Sequence, residues 1–237
     1  MKKHIPNTIT CCNLLSGCVA TYCAFTCNAK LALLWIIIGA VFDFFDGMAA
    51  RMLKVSSPIG KELDSLADVV TFGVAPSAIV FSELSAIIPP MGCLPFSSSY
   101  IAFSAFLIAA FSALRLAKFN IDTRQTTSFI GLPTPANALF WGSLIVGQGP
   151  WLENNPLSMY LILAMIVVSC GLLVCELPMF SLKFKHLRWK DNHIKLYFTF
   201  YSAVMLVLFG WINAWWLIIA TYIIVSAVLS IANKDFQ

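Results

Sequence analysis

Four aspartates stand inside strongly apolar sequence, as Asp43-x-x-Asp46-Gly47-x-x-Ala50-Arg51, then eight residues, then Gly60-x-x-x-Asp64-x-x-x-Asp68. On a helix Asp43, Asp46, Gly47 and Ala50 fall at i, i+3, i+4 and i+7, one stripe, and Gly60, Asp64 and Asp68 fall at i, i+4 and i+8 on the next segment. At ~1.5 Å rise per residue, Asp64 and Asp68 lie roughly 6 and 12 Å beyond Gly60, and Asp46 and Asp43 roughly 12 and 16 Å before Lys54. All four therefore share a depth. Ionised carboxylates in hydrocarbon cost several kcal/mol each unless compensated, and a divalent metal is the economical compensator. Oxygen-only ligands suit Mg2+ or Mn2+ and disfavour zinc. Two such ions would neutralise a pyrophosphate and its leaving phosphate in an in-line displacement, and the carboxylate least needed for metal would serve as general base. Gly47 and Gly60 leave room for a bulky group at the backbone, and Arg51, one turn after Gly47, suits phosphate oxygens. Salt bridges to Arg51, Lys54 and Lys61 account for one or two of the acids, but four outnumber the cations in reach.

The elements that must position these acids are membrane helices. Of 237 residues, 59% are hydrophobic and 11% charged, outside the range of soluble globular domains. Apolar runs cover 7–26, 30–53, 60–84, 98–118, 134–149, 157–178, 195–210 and 213–233, each near the length that crosses a ~30 Å hydrocarbon layer. The last two are weakly separated around Gly210 to Asn213, so six to eight spans are supported. The expectation is an all-α polytopic helical bundle of about eight spans, a single transmembrane domain over 1–237 with no soluble domain and a retained first span. Ser57 as N-cap and Pro58 at the first helical position predict a tight turn between the two acidic segments. Placing the amino terminus in the cytoplasm puts fourteen of the fifteen Lys and Arg residues on that side, all but Lys30.

The net charge of +4 is spread over inner loops, which suits anionic phospholipid and is not a nucleic-acid signature. Eight cysteines show no C-x-x-C spacing, so they read as packing residues without a disulfide framework. No internal repeat is visible, which weighs against an inverted-repeat transporter. A cation transporter would also scatter acids over many spans, whereas those after the third hold only Asp122, Glu153, Glu176, Asp191 and Asp235. Arg115, Lys118, Asn120, Asp122 and Arg124 close the fourth run on the inner side, ahead of Gly131-Leu-Pro-Thr-Pro135, where the prolines stop one helix and start another.

The Asp43 to Asp68 segment resembles the signature of the CDP-alcohol phosphatidyltransferase family, with every fixed position filled. The surrounding Gly60 to Pro76, Ile5-Pro-Asn-Thr-Ile-Thr10 with Asn13 and Gly17, Arg115-Leu-Ala-Lys-Phe-Asn120 and Gly131 to Pro135 are similar to the phosphatidylserine synthase branch. The resemblance implies transfer of a phosphatidyl group from CDP-diacylglycerol to an alcohol with release of CMP. Asp43, Asp46 and Asp64 would be metal ligands, and Asp68 a ligand of the second metal and the general base. Gly47, Ala50, Arg51, Gly60 and Asn13 would shape the cytidine diphosphate pocket. For L-serine as acceptor, Arg115, Lys118 or Arg124 would take the carboxylate, and Asn120 or Asp122 the ammonium. The branch often has Arg where this chain has Lys118. Glycerol 3-phosphate or an inositol phosphate is the rival acceptor, and would want a denser cation cluster. Members of the family are often homodimers.

Overall fold

The computed structural model describes residues 4–55, 57–87, 99–122, 129–179 and 189–232. Helix α1 (His4–Phe25) runs alongside α2 (Ala29–Leu53), the most extensive helix pairing in the molecule. Between them Cys27 adopts φ 59° and the Asn28 side chain accepts a hydrogen bond from the Leu31 amide at 3.1 Å, which caps α2. At its other end α2 stops at Lys54, a left-handed residue at φ 52°, and the Val55 amide returns to the Ala50 carbonyl at 3.0 Å. Ser57 then caps α3 (Pro58–Asp68) by accepting from the Gly60 amide at 3.0 Å, with Pro58 in the first turn. The expected tight turn thus forms from the residues that predict it.

Past Asp68 the chain widens into a π-helical segment, Val69–Val74, before α4 (Ala75–Ile87). A π-turn carries an extra residue per turn and is found mostly where function requires it. Here it delivers Thr71 against α1, where its hydroxyl donates to the Asn13 carbonyl at 3.0 Å. The contact is possible because two glycines face Thr71. A Cβ on Gly17 would overlap its side chain, and one on Gly39 would sit 2.5 Å from its Cγ2 and 3.0 Å from Asn13 Oδ1.

The short α5 (Ser99–Ala102) and a 3-10 turn, Phe103–Phe106, lead into α6 (Leu107–Ile121). Helix α7 (Thr134–Asn154) packs against α2, α4 and α9 and buries Trp141 completely. Polar bonds tie it to α8 (Ser158–Val174): Trp141 Nε1 donates to Ser169 Oγ at 3.1 Å, and Ser169 Oγ donates to Asn137 Oδ1 at 2.7 Å. The last helix, α9 (Trp189–Ala232), is broken at Gly210, whose φ of 73° and ψ of 164° are not helical. Its two arms fold back on each other, with Tyr201 and Thr221 hydroxyls 3.0 Å apart and Phe198 and Tyr222 rings at 5.8 Å. The weak break at Gly210 is therefore a genuine reversal between two apolar arms.

Among the described residues, five stretches are long and apolar enough to cross a membrane, against the about eight runs expected: His4–Phe25, Ala29–Leu53, Pro58–Ile87, Tyr100–Ile121 and Lys195–Ser230, the last holding both arms about Gly210. The protein is an integral membrane helical bundle. One boundary differs from the expected run of 157–178. The helix ends at Val174, and Pro178–Met179 (β2) pairs antiparallel with Phe129–Ile130 (β1), Phe129 opposite Met179. Two-residue strands have no periodicity for sequence to display.

The glycine and threonine contact predicts a rescue. Gly39→Ala should lower the thermal midpoint in detergent, an overpacking cost of about 1–3 kcal/mol. Thr71→Ser, which removes the Cγ2 it strikes, should recover more than half of the loss in the double variant.

Candidate active site

After the turn that follows Lys54, α3 packs against α1, itself paired with α2, and the acidic stripes of α2 and α3 converge. Asp43, Asp64 and Asp68 each present a carboxylate oxygen within 4.8 Å of the other two. Asp46 is a close electrostatic neighbour of all three, with its Oδ2 accepting from Thr10 Oγ1 at 2.6 Å. From the other side Asn13 donates through Nδ2 to Asp68 Oδ1 at 3.2 Å. Asp46 and Asp68 are buried, and Asp43 and Asp64 half-buried. Asp64 Oδ1 is sealed from solvent and has no hydrogen-bond partner. A buried, unpartnered carboxylate oxygen within a set of hard oxygen donors fits a divalent cation, and Asp43, Asp64 and Asp68 are the residues placed to hold one.

Beside this cluster lies a cavity of about 270 Å³, lined by Pro6, Asn7, Thr10, Asp46, Gly47, Ala50, Val55, Ser57, Gly60, Lys61 and Asp64. Three residues expected at a nucleotide pocket, Gly47, Ala50 and Gly60, are in its wall. A Cβ on Gly47 would meet only the Arg51 guanidinium, at 3.6 Å, so this glycine leaves the α2 backbone open to the cavity with Arg51 at its edge. Gly60 is more confined. Its Cβ would lie 3.0 Å from Ser57 Oγ and 3.1 Å from Asn7 Oδ1. Asn13 is not in this wall, since its amide faces Asp68 instead.

A second cavity of about 320 Å³ opens at the end of α6, lined by Arg115, Lys118, Ile121, Asp122, Ile130, Leu173, Val174, Cys175 and Glu176. Arg115 is 7% exposed, lies in electrostatic range of Asp68, and stacks 5.2 Å from the Phe119 ring centre. It joins this cavity to the carboxylates. Lys118 Nζ donates to the Val174 carbonyl at 3.4 Å. Asn120 points elsewhere, donating to Ser65 Oγ at 2.8 Å while its carbonyl accepts from Lys61 Nζ at 2.9 Å, so it staples α6 to α3. Arg124 lies outside the described residues.

Pro6, Asn7, Thr10 and Glu176 line the two cavities although the sequence reading gives them no role, the first three appearing there only within the Ile5 to Thr10 resemblance. For the first helix a signal was present: Pro6, Thr10, Asn13 and Gly17 form an i, i+4, i+7, i+11 stripe that is buried in an otherwise apolar helix. Glu176 gave none, since its position follows from the strand pairing.

The chain belongs to the CDP-alcohol phosphatidyltransferase family, whose model matches residues 3–175. Divalent-metal dependence is general to that family. Among curated relatives it is similar to the CDP-diacylglycerol–serine O-phosphatidyltransferase of Bacillus subtilis, 41% identical over 133 residues, which cover 56% of this chain and 70% of that protein. The enzyme of the same name from Helicobacter pylori is 32% identical over 203 residues, 84% of this chain and 80% of the relative. The one from Mycobacterium leprae is 28% identical over 236 residues, 92% of this chain and 72% of the relative.

If the carboxylate cluster holds the cation, Asp64→Asn should weaken Mn2+ binding by at least about tenfold, as expected for losing one anionic ligand. Calorimetry on the purified protein checks this, with Tyr201→Phe, whose hydroxyl pairs with Thr221 between the two arms of α9, expected to bind Mn2+ as the unsubstituted chain does.

Proposed function

We propose that the protein transfers the phosphatidyl group of CDP-diacylglycerol to L-serine, giving phosphatidylserine and CMP. The observation that carries this reading is the convergence of Asp43, Asp64 and Asp68, with Asp64 in the wall of the first cavity and Arg115 of the second within electrostatic range of Asp68. In-line displacement at phosphorus requires the nucleophile and leaving group on opposite sides of the reacting centre. Separate spaces, one walled by Asp64 and one whose arginine lies near Asp68, suit that demand, and the named activity of the relatives supplies the substrates.

In this reading the first cavity takes the cytidine diphosphate, with Gly47 and Gly60 admitting it to the backbone and Arg51 pairing with phosphate oxygens at the edge. Asp68, oriented by Asn13, takes the proton from the serine hydroxyl as its oxygen attacks the lipid-linked phosphorus. The bond from that phosphorus to the CMP oxygen breaks. Asp43, Asp46, Asp64 and Asp68 would hold Mg2+ or Mn2+, two ions by the family resemblance, and bound metal supplies neutralisation of the pyrophosphate charge. Arg115 takes the serine carboxylate in the second cavity, with Lys118 at its wall and Arg124 as a further cation on the same inner segment. Serine is preferred over glycerol 3-phosphate or an inositol phosphate because that cavity pairs its cations with two acids, Asp122 and Glu176. One domain spans the chain, its amino terminus and active site face the cytoplasm, and two copies assemble; cross-linking in native membranes tests the last point.

The direct test is CMP release by purified protein given CDP-diacylglycerol, with and without L-serine. Release should depend on serine and stop when a chelator removes divalent metal. Asp68→Asn should lower kcat by roughly 10²–10⁴-fold, the range for loss of a general base, while CDP binding changes far less. For the orientation, in a chain whose sole cysteine is Cys27, a membrane-impermeant maleimide should label intact cells; one whose sole cysteine is Lys54→Cys should react only after lysis.

A further inference from the structure

The second cavity is lined by charges of both signs drawn from two separate elements. Arg115, Lys118 and Asp122 lie at i, i+3 and i+7, one stripe of α6 and its C-terminal flank, and Glu176 comes from the segment that follows α8. Lys118 is engaged by the Val174 carbonyl at the C-terminal end of α8, where the exposed carbonyl ends of a helix favour a cation. Arg115, buried and planar, remains the group suited to a bidentate hold on a carboxylate.

Glu176 is placed by closed backbone bonds. On its N-terminal side the Cys175 amide donates to the Gly171 carbonyl at 2.9 Å, and on its C-terminal side the Leu177 carbonyl accepts from the Gly131 amide at 2.9 Å. The Leu132 amide completes the strap at the Leu172 carbonyl, also 2.9 Å. Gly131 sits at φ 75°, and a Cβ there would come within 2.9 to 3.2 Å of the Leu173, Cys175 and Leu172 carbonyls. Only glycine fits so close to the backbone that presents Glu176.

We infer that Glu176 is the specificity residue for the acceptor, receiving its ammonium across the cavity from the Arg115 guanidinium that holds its carboxylate. The inference rests on the reading of this cavity as the acceptor site. Glu176 is exposed at the cavity, where it can meet an ammonium arriving from solvent while the buried Arg115 holds the carboxylate, and a charge-assisted hydrogen bond is the stronger kind. The same carboxylate turns away alcohols that carry only negative charge, because like charges brought together in a partly enclosed site are penalised. Glu176, across from the cations and with Asp122 also in the lining, thus favours the zwitterion over the phosphorylated alcohol.

The test uses the full chain in detergent with Mn2+ and saturating CDP-diacylglycerol, reading CMP release. Glu176→Gln should raise the KM for L-serine by about tenfold or more, the scale of one charge-assisted bond, with CDP affinity retained as the sign of a folded protein. Inhibition by glycerol 3-phosphate should strengthen in the same variant, and 3-hydroxypropanoate, which lacks the ammonium, should inhibit it at least as well as it inhibits the unsubstituted enzyme. Glu176→Asp, which keeps the charge, should fall between the two. A serine KM within threefold of the unsubstituted enzyme in Glu176→Gln, alongside a raised KM in Arg115→Lys, overturns the role of Glu176 and leaves the cavity as acceptor site. An unchanged KM in both variants overturns the cavity's assignment as well.

Discussion

Carboxylates crowded at one depth of a membrane protein repel one another and cannot be relieved by water. Asp43, Asp64 and Asp68 lie within 4.8 Å of each other, and an oxygen of Asp64 is buried without any partner. Such an arrangement has a high energy in the absence of cations, because low-dielectric surroundings strengthen repulsion as much as attraction. The rest of the fold holds the acids in place against that repulsion, which leaves a set of oxygen donors already assembled for a divalent ion.

The first helix does much of this holding. Thr10 bonds Asp46 and Asn13 bonds Asp68, so α1 touches the acidic stripes of both α2 and α3. Its own position is fixed by Thr71, which the π-turn after Asp68 swings onto the Asn13 carbonyl in the gap left by Gly17 and Gly39. In hydrocarbon, helices associate through close backbone approach and interhelical hydrogen bonds rather than by escaping water. The small residues and the threonine supply both at the point where rigidity matters for the chemistry.

On the proposed reading two recognition problems are kept apart. The nucleotide would occupy the cavity at the N-terminal half of α1 and the α2–α3 turn, where glycines expose backbone. The acceptor would occupy the space at the end of α6 and the strap after α8, which a buried arginine and an acid both line. Arg115, in the wall of that second cavity, lies within electrostatic range of Asp68.

Much of the site was legible in the chain because it is local. Asp43 to Asp68 span one helix, one turn and the next helix, so helical spacing and the Ser57-Pro58 start signal mark the two acidic stripes and the turn between them, while α1 completes their placement. Apolar run lengths likewise gave the helical membrane class and even the reversal at Gly210. What needed the tertiary structure was the part assembled over long separations: Asn13 turning to Asp68 over 55 residues, and Asn120 turning away to Ser65 across the same distance. Glu176 belongs with these, since it reaches the cavity through a two-residue strand pair joining segments nearly 50 positions apart. Spacing along a helix is encoded in sequence by a fixed period, whereas a partner on another element is decided by packing, which no local pattern records.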